Sequence, residues 1–174
     1  MQVMKTLFTL LSLLISCFTL AQQGPAPTVP TEYVFTIEAA ISGALPMGAS
    51  VDGERRSVPI TGGSFSGSYN GEAIKGEVVP GGADYQVTRA DGTTFITAVY
   101  MIKTDDGALI NVSNEGYIVP PGARGNDTLY FRTTPKFTAP TGKYGWLNST
   151  IFVSAIRFDE AKPGVVIIDV YRVL

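Results

Sequence analysis

Tyr130 and Arg132 stand two residues apart in the extended run Leu129 to Phe137, and Asp84, Gln86 and Thr88 are spaced likewise in the run Ala83 to Ala90. Strand side chains alternate between two faces, so each set shares one face. If both faces turn inward, a guanidinium, a phenol and a carboxylate meet in apolar surroundings. Such a group can hold an enolate or carboxylate and move a proton. Asp84, Tyr130 and Arg132 are therefore the candidate catalytic residues. The same residues would also serve as an internal Arg–Asp pair that satisfies itself and holds the strands in register.

Much other chemistry is excluded by composition. The chain contains no histidine, which removes the usual general base, the usual zinc ligand and every Ser-His or Cys-His couple. Its single cysteine, Cys17, lies in an apolar leader, so the remainder has no thiol nucleophile, disulfide or thiolate metal site. Asp105-Asp106-Gly107 reads as a hairpin tip, where adjacent carboxylates point to opposite faces and do not share an ion; one of them could still point into a barrel mouth. No metal or cofactor is expected, since no glycine pair opens a helix that could cradle phosphate, and serine hydrolysis is disfavoured because no nucleophile elbow is present. With a net charge of −2 and no basic run, nucleic acid is not an expected partner.

The elements that must position these residues are short β-runs punctuated by Asn70-Gly71, Gly81-Gly82, Asp91-Gly92 and Asp106-Gly107, pairs that supply positive φ for tight turns. Residues 1–21 read as a secretory signal peptide: one lysine, a fifteen-residue apolar run from Thr6 to Leu20, and small residues before a cleavage point after Ala21. The run is too short for a stable membrane span. Leu14-Ile15-Ser16-Cys17 also has the form of a lipobox, a secondary possibility of a lipid anchor through Cys17. Residues 22–31 form a Pro-rich tether, and 32–174 a single domain.

Strands are expected at Tyr33 to Ile41, Ser57 to Ile60, Ser64 to Ser68, Ala73 to Val79, Ala83 to Ala90, Thr93 to Thr104, Ala108 to Val119, Leu129 to Phe137, Trp146 to Arg157 and Val165 to Val173, with a loop over Ser42 to Arg56. No interval has the length and period of a crossover helix, so consecutive strands should pair antiparallel. The fold class is all-β, eight to ten strands that form a sandwich or close into a barrel.

GGSFSG at Gly62 to Gly67, KGEVVPGGADYQ at Lys75 to Gln86, KTDDGALINVSNEG at Lys103 to Gly116, YFRTTPKF at Tyr130 to Phe137 and KYGWLN at Lys143 to Asn148 together resemble domain-of-unknown-function family 3237. The resemblance covers nearly all of the chain after the leader. It departs at Tyr85, where the family often has Trp, and at Thr138, where an acid is frequent. The resemblance implies a single antiparallel barrel like that of allene oxide cyclase, calycin-like in shape, with an interior able to hold a small organic molecule. It implies no settled activity.

On that basis Tyr85, Asp106, Phe137, Trp146 and Asn148 are candidate ligand contacts, although aromatic residues on strands are more often plain core. Sequons place candidate glycosylation at Asn111, Asn126 and Asn148. The functional expectation is a secreted barrel that binds a small apolar or weakly acidic molecule and acts as a cofactor-free isomerase or cyclase. The rival expectation is a non-catalytic binder or carrier.

Overall fold

The alternation in the sequence is realised as nine strands: β1 (Thr31–Ile41), β2 (Leu45–Ser50), β3 (Gly53–Tyr69), β4 (Glu72–Thr88), β5 (Thr94–Thr104), β6 (Leu109–Val119), β7 (Tyr130–Thr138), β8 (Phe152–Phe158) and β9 (Val165–Val173). A computed structural model of the chain describes residues 28–125 and 127–174; the leader with Cys17, most of the tether and Asn126 lie outside the described residues. Every pairing is antiparallel, in the order β1-β9-β8-β7-β6-β5-β4-β3-β2, and β1 pairs with β3 as well. Eight strands thus close into a barrel, with β2 added outside on β3. Closure leaves no long free edge among the eight.

β3 and β4 are each 17 residues long, twice the expected run. Gly81-Gly82, expected as a turn, lies inside β4, and Gly62-Gly63 lies beside it inside β3. Their shared register slips between Ile60 and Ser64, and β4 slips again between Val79 and Ala83. Extra residues at these points bend both strands and sharpen their twist. Gly63, at φ +128, lies so close to the Glu38 carbonyl of β1 that any Cβ there would collide with it. The lower half of β3, Phe65 to Gly67 included, pairs with β1, while its upper half pairs with β2. The turn expected at Asn70-Gly71 is present, with φ of 51 and 81.

Two further expectations are corrected. Ser42 to Arg56 is not one loop: it contains β2 and the start of β3, and the strand tolerates Pro46 because it is an edge, with a register slip between Pro46 and Gly48. Trp146 to Arg157 is not one strand: Gly145–Ser149 is a 3-10 turn, and β8 begins at Phe152. The Asn148 amide holds that turn, accepting from the Ala139 N–H at 2.8 Å and donating to the carbonyls of Ala139 and Gly145.

The lower end of the barrel is solid. Phe35 packs edge-on against Phe65 and Phe137, and Phe137 against Phe152, with centroids 5.0–5.9 Å apart. Each fully buried side chain of this size stabilises the fold by about 1.5–3 kcal/mol. Leu147 of the 3-10 turn plugs the end at 1% exposure, and Trp146 stacks on Tyr69 at 3.6 Å. Asp106 fastens the plug: its carboxylate accepts from Thr104 Oγ1, from Lys143 Nζ at 2.8 Å and from the Tyr144 hydroxyl at 2.9 Å.

Those bonds, the one from Lys143 foremost, hold the Asp106 carboxyl well below the usual carboxylate range. A depressed folded-state pKa contributes stability that is present at neutral pH and lost as pH falls through and below about 4. Asp106→Asn is therefore expected to melt below the wild type at neutral pH, with the gap in Tm narrowing in calorimetric scans taken below about pH 4.

Candidate interior site

Above the aromatic layer the barrel is hollow. A cavity of about 260 Å³ opens between the β1–β2 loop and the end of β8, and its wall is mostly aliphatic, with Ile60, Ile96, Ile156 and Ile168 among its members. Arg56, Asp84, Gln86, Tyr100 and Asn114 interrupt that wall.

Sheet register explains why they meet. Asp84 is opposite Ala98, and Ala98 is opposite Asn114, so one rung runs across β4, β5 and β6. Neighbouring strands lie about 4.8 Å apart, which puts the outer two residues roughly 10 Å apart at the backbone. Ala98 between them is small and leaves their side chains room. Tyr100 follows two residues along β5 on the same inner face. Gly82 is what admits it: a Cβ at that position would collide with Cβ of Tyr100.

The polar side chains form a chain with loose ends. Arg56 Nε donates to Gln86 Oε1 at 2.6 Å, and Gln86 Nε2 donates to Asp84 Oδ2 at 2.6 Å. Asp84 Oδ1, the Tyr100 hydroxyl and Asn114 Oδ1 are buried without a hydrogen-bond partner among the described residues. Burial pushes the Asp84 carboxyl up from its ordinary value, and the Gln86 amide, the Thr97 backbone N–H and the Arg56 charge, in that order, draw it partly back. Burial, with the nearby Asp84 charge, pushes the Tyr100 phenol up, so it stays a protonated donor at neutral pH. A proton acceptor and a proton donor thus share one wall of the cavity.

Of the expected catalytic set, Asp84 alone lies here. Tyr130 and Arg132 do share a face, as parity required, but it is the outer one. Phe131, Thr133, Pro135 and Phe137 fill the inner face of β7. Arg132 donates to the Phe131 carbonyl and covers the Tyr130 ring at 5.6 Å, both bordering an open outer groove. The expected convergence of Asp84 with Tyr130 and Arg132 is therefore absent.

The candidate ligand contacts are dispersed as well. Tyr85 faces solvent at 51% exposure, Phe137 and Trp146 belong to the solid end, and Asp106 and Asn148 are engaged in fastening the plug. Asn111 is exposed on the outer face of β6, and Asn126 lies outside the described residues. Sequence reading had grouped Gln86 with Asp84, but it missed Arg56, Tyr100 and Asn114. The signal for two of them was visible: Asn114 continues the inward line Ile110, Val112, and Tyr100 sits between Ala98 and Ile102. Among the described residues no helix is long and apolar enough to cross a membrane, and no cluster of three acidic, His or Cys side chains could hold a metal ion.

The fold and site define a class: a closed eight-stranded antiparallel barrel with one solid end and one hollow end bearing a buried carboxylate. The chain belongs to the family described as protein of unknown function, DUF3237, whose model matches residues 29–173. A UPF0311 protein of Rhodopseudomonas palustris is 39% identical over 159 residues, spanning 85% of this chain and 99% of that protein. The crystal structure of a conserved protein of unknown function from the same species is similar with a TM-score of 0.76 at 37% identity, covering 86% of this chain and all of that one. A beta-barrel like protein of Acinetobacter baumannii gives 0.73 at 32% identity, covering 88% of this chain and all of that one.

Two outcomes follow from the packing and the buried charge. Gly82→Ala is expected to cost about 1–3 kcal/mol in urea unfolding, because the new methyl must displace Tyr100 or the β5 backbone behind it. Asp84→Asn should act in the opposite direction. A carboxyl whose folded-state pKa is raised binds its proton more tightly in the folded chain, so folding loses stability as pH rises through that interval. The asparagine variant is therefore expected to have the higher Tm at neutral pH, with the advantage disappearing below about pH 4.

Proposed function

We propose that the protein binds a small, mostly apolar molecule in the barrel cavity and acts on it as a cofactor-free isomerase or cyclase. In this reading Asp84 takes and returns a proton. The Tyr100 hydroxyl donates to an oxygen of the substrate, the Asn114 amide helps to orient it, and Arg56 acts through Gln86 to fix the Asp84 carboxyl. Catalysis would come from positioning and from fixed dipoles in a water-poor site.

One observation carries the reading: three buried polar atoms on one cavity wall lack partners. Leaving such an atom unsatisfied costs about 1–3 kcal/mol, which a barrel otherwise filled by aliphatic side chains could avoid with three apolar residues. Retention of all three is accounted for by an occupant that completes their bonds. The aliphatic majority of the wall supports the second reading, a carrier that binds without turnover.

Native mass spectrometry of protein purified from its own host tests the binding. The wild type is expected to carry a small-molecule adduct that Ala98→Phe, which fills the middle of the cavity, lacks. Incubation of the released compound with fresh protein then separates the two readings. An enzyme converts it and loses about 10²–10⁴-fold in rate with Asp84→Asn. A carrier returns it unchanged with either protein. Export is proposed from the leader sequence, and the same spectrum checks it: signal cleavage gives a chain beginning at Gln22, lipidation one beginning at a mass-shifted Cys17, and a glycan on Asn111, Asn126 or Asn148 adds its own mass.

A further inference from the structure

We infer that the cavity takes a neutral molecule with hydroxyl groups at one end and hydrocarbon at the other, entering hydroxyl end first. The inference rests on the binding reading above and adds the chemistry of the ligand.

Depth sets the orientation. Asn114 and Tyr100 are 1% and 3% exposed, whereas Phe158, at the mouth, is 58% exposed, and Ser42, Ala44 and Arg56 beside it also face solvent. The unpartnered atoms are therefore at the inner end, and the wall between them and the mouth is apolar along Ile118, Phe131 and Val166, with the Gln86–Arg56 pair as its one polar side. Hydrocarbon is matched to the outer part of the path and polar atoms to its end.

The head group follows from the inventory of free atoms. Asp84 Oδ1 and Asn114 Oδ1 can only accept, and the Tyr100 hydroxyl can donate or accept. Two acceptors facing a ligand require hydrogen donors on it, and the tyrosine then supplies one bond to an oxygen. Vicinal hydroxyls meet all three demands.

Charge excludes the alternatives. A carboxylate head would stand beside the buried Asp84 with no cation at the inner end to offset it. Arg56, at the mouth, already directs its Nε into Gln86, and Gln86 carries that polarity on to Asp84. An ammonium head would donate to Asp84 and Asn114 but has no lone pair to accept the proton of the Tyr100 hydroxyl. It would also lose its hydration on crossing a largely aliphatic cavity.

The test uses the wild-type protein and four probes of one chain length: a vicinal decanediol, decanol, decanoic acid and decylamine, compared by calorimetric titration at neutral pH. The diol is expected to bind at least tenfold more tightly than the acid or the amine, and more tightly than decanol. Asn114→Leu should remove the advantage of diol over decanol, with Tyr100→Phe as a second variant if the first does not fold. Acid or amine binding as tightly as the diol would overturn the inference while leaving cavity binding intact. Failure of all four probes, with Ala98→Phe indistinguishable from the wild type, would overturn the binding reading together with the inference.

Discussion

Closure of the barrel depends on one contact, the pairing of β1 with the lower half of β3. That contact needs backbones to pass unusually close to one another. Gly63 meets the Glu38 carbonyl, and Gly67 meets Val34 and Phe35, with no room at either position for a side chain. The bend in the β3–β4 hairpin brings those glycines against β1. The same bend sends the upper half of the hairpin away, and the space left above it is the cavity. Tight closure below and hollowness above are therefore two results of one kink.

The solid and hollow halves also divide the energetic roles. Interlocked phenylalanines and the Leu147 plug supply apolar burial at one end, which lets the other end hold an ionisable carboxyl at some cost in stability. Asp84, Tyr100 and Asn114 occupy inner positions where an aliphatic residue would be expected to pack without penalty. Their placement has a local rule broken at one site and obeyed around it, the pattern expected where function and folding make different demands.

Most of the architecture was legible in the sequence because period-two alternation and turn glycines report local conformation directly. The limits of β5, β6 and β9 follow from the residues almost to the position. What failed had non-local causes. Gly81-Gly82 has the composition of a turn, and only its neighbour Gly62-Gly63 across the hairpin makes it a bend in a continuous strand. Pro46 and Gly48 hid an edge strand, since an edge needs only half its hydrogen bonds. For the site, parity correctly grouped Tyr130 with Arg132 but could not say which face turned inward; Phe131 and Phe137 decided that by competing for the interior. Tyr100 and Asn114 carry no charge to mark them, and their informative sign is a polar atom on an otherwise apolar inward line.

The position of Trp146 has a practical side. It is the sole tryptophan of the chain, and it stacks on Tyr69 beside the plug, with the Phe152 and Phe137 rings between it and the cavity. Intrinsic fluorescence will therefore register loss of the plug and of the fold with high contrast, whereas an occupant of the cavity meets no indole directly. A change in the emission of this indole reports the plug first, so a screen for ligands needs a second signal from the cavity itself.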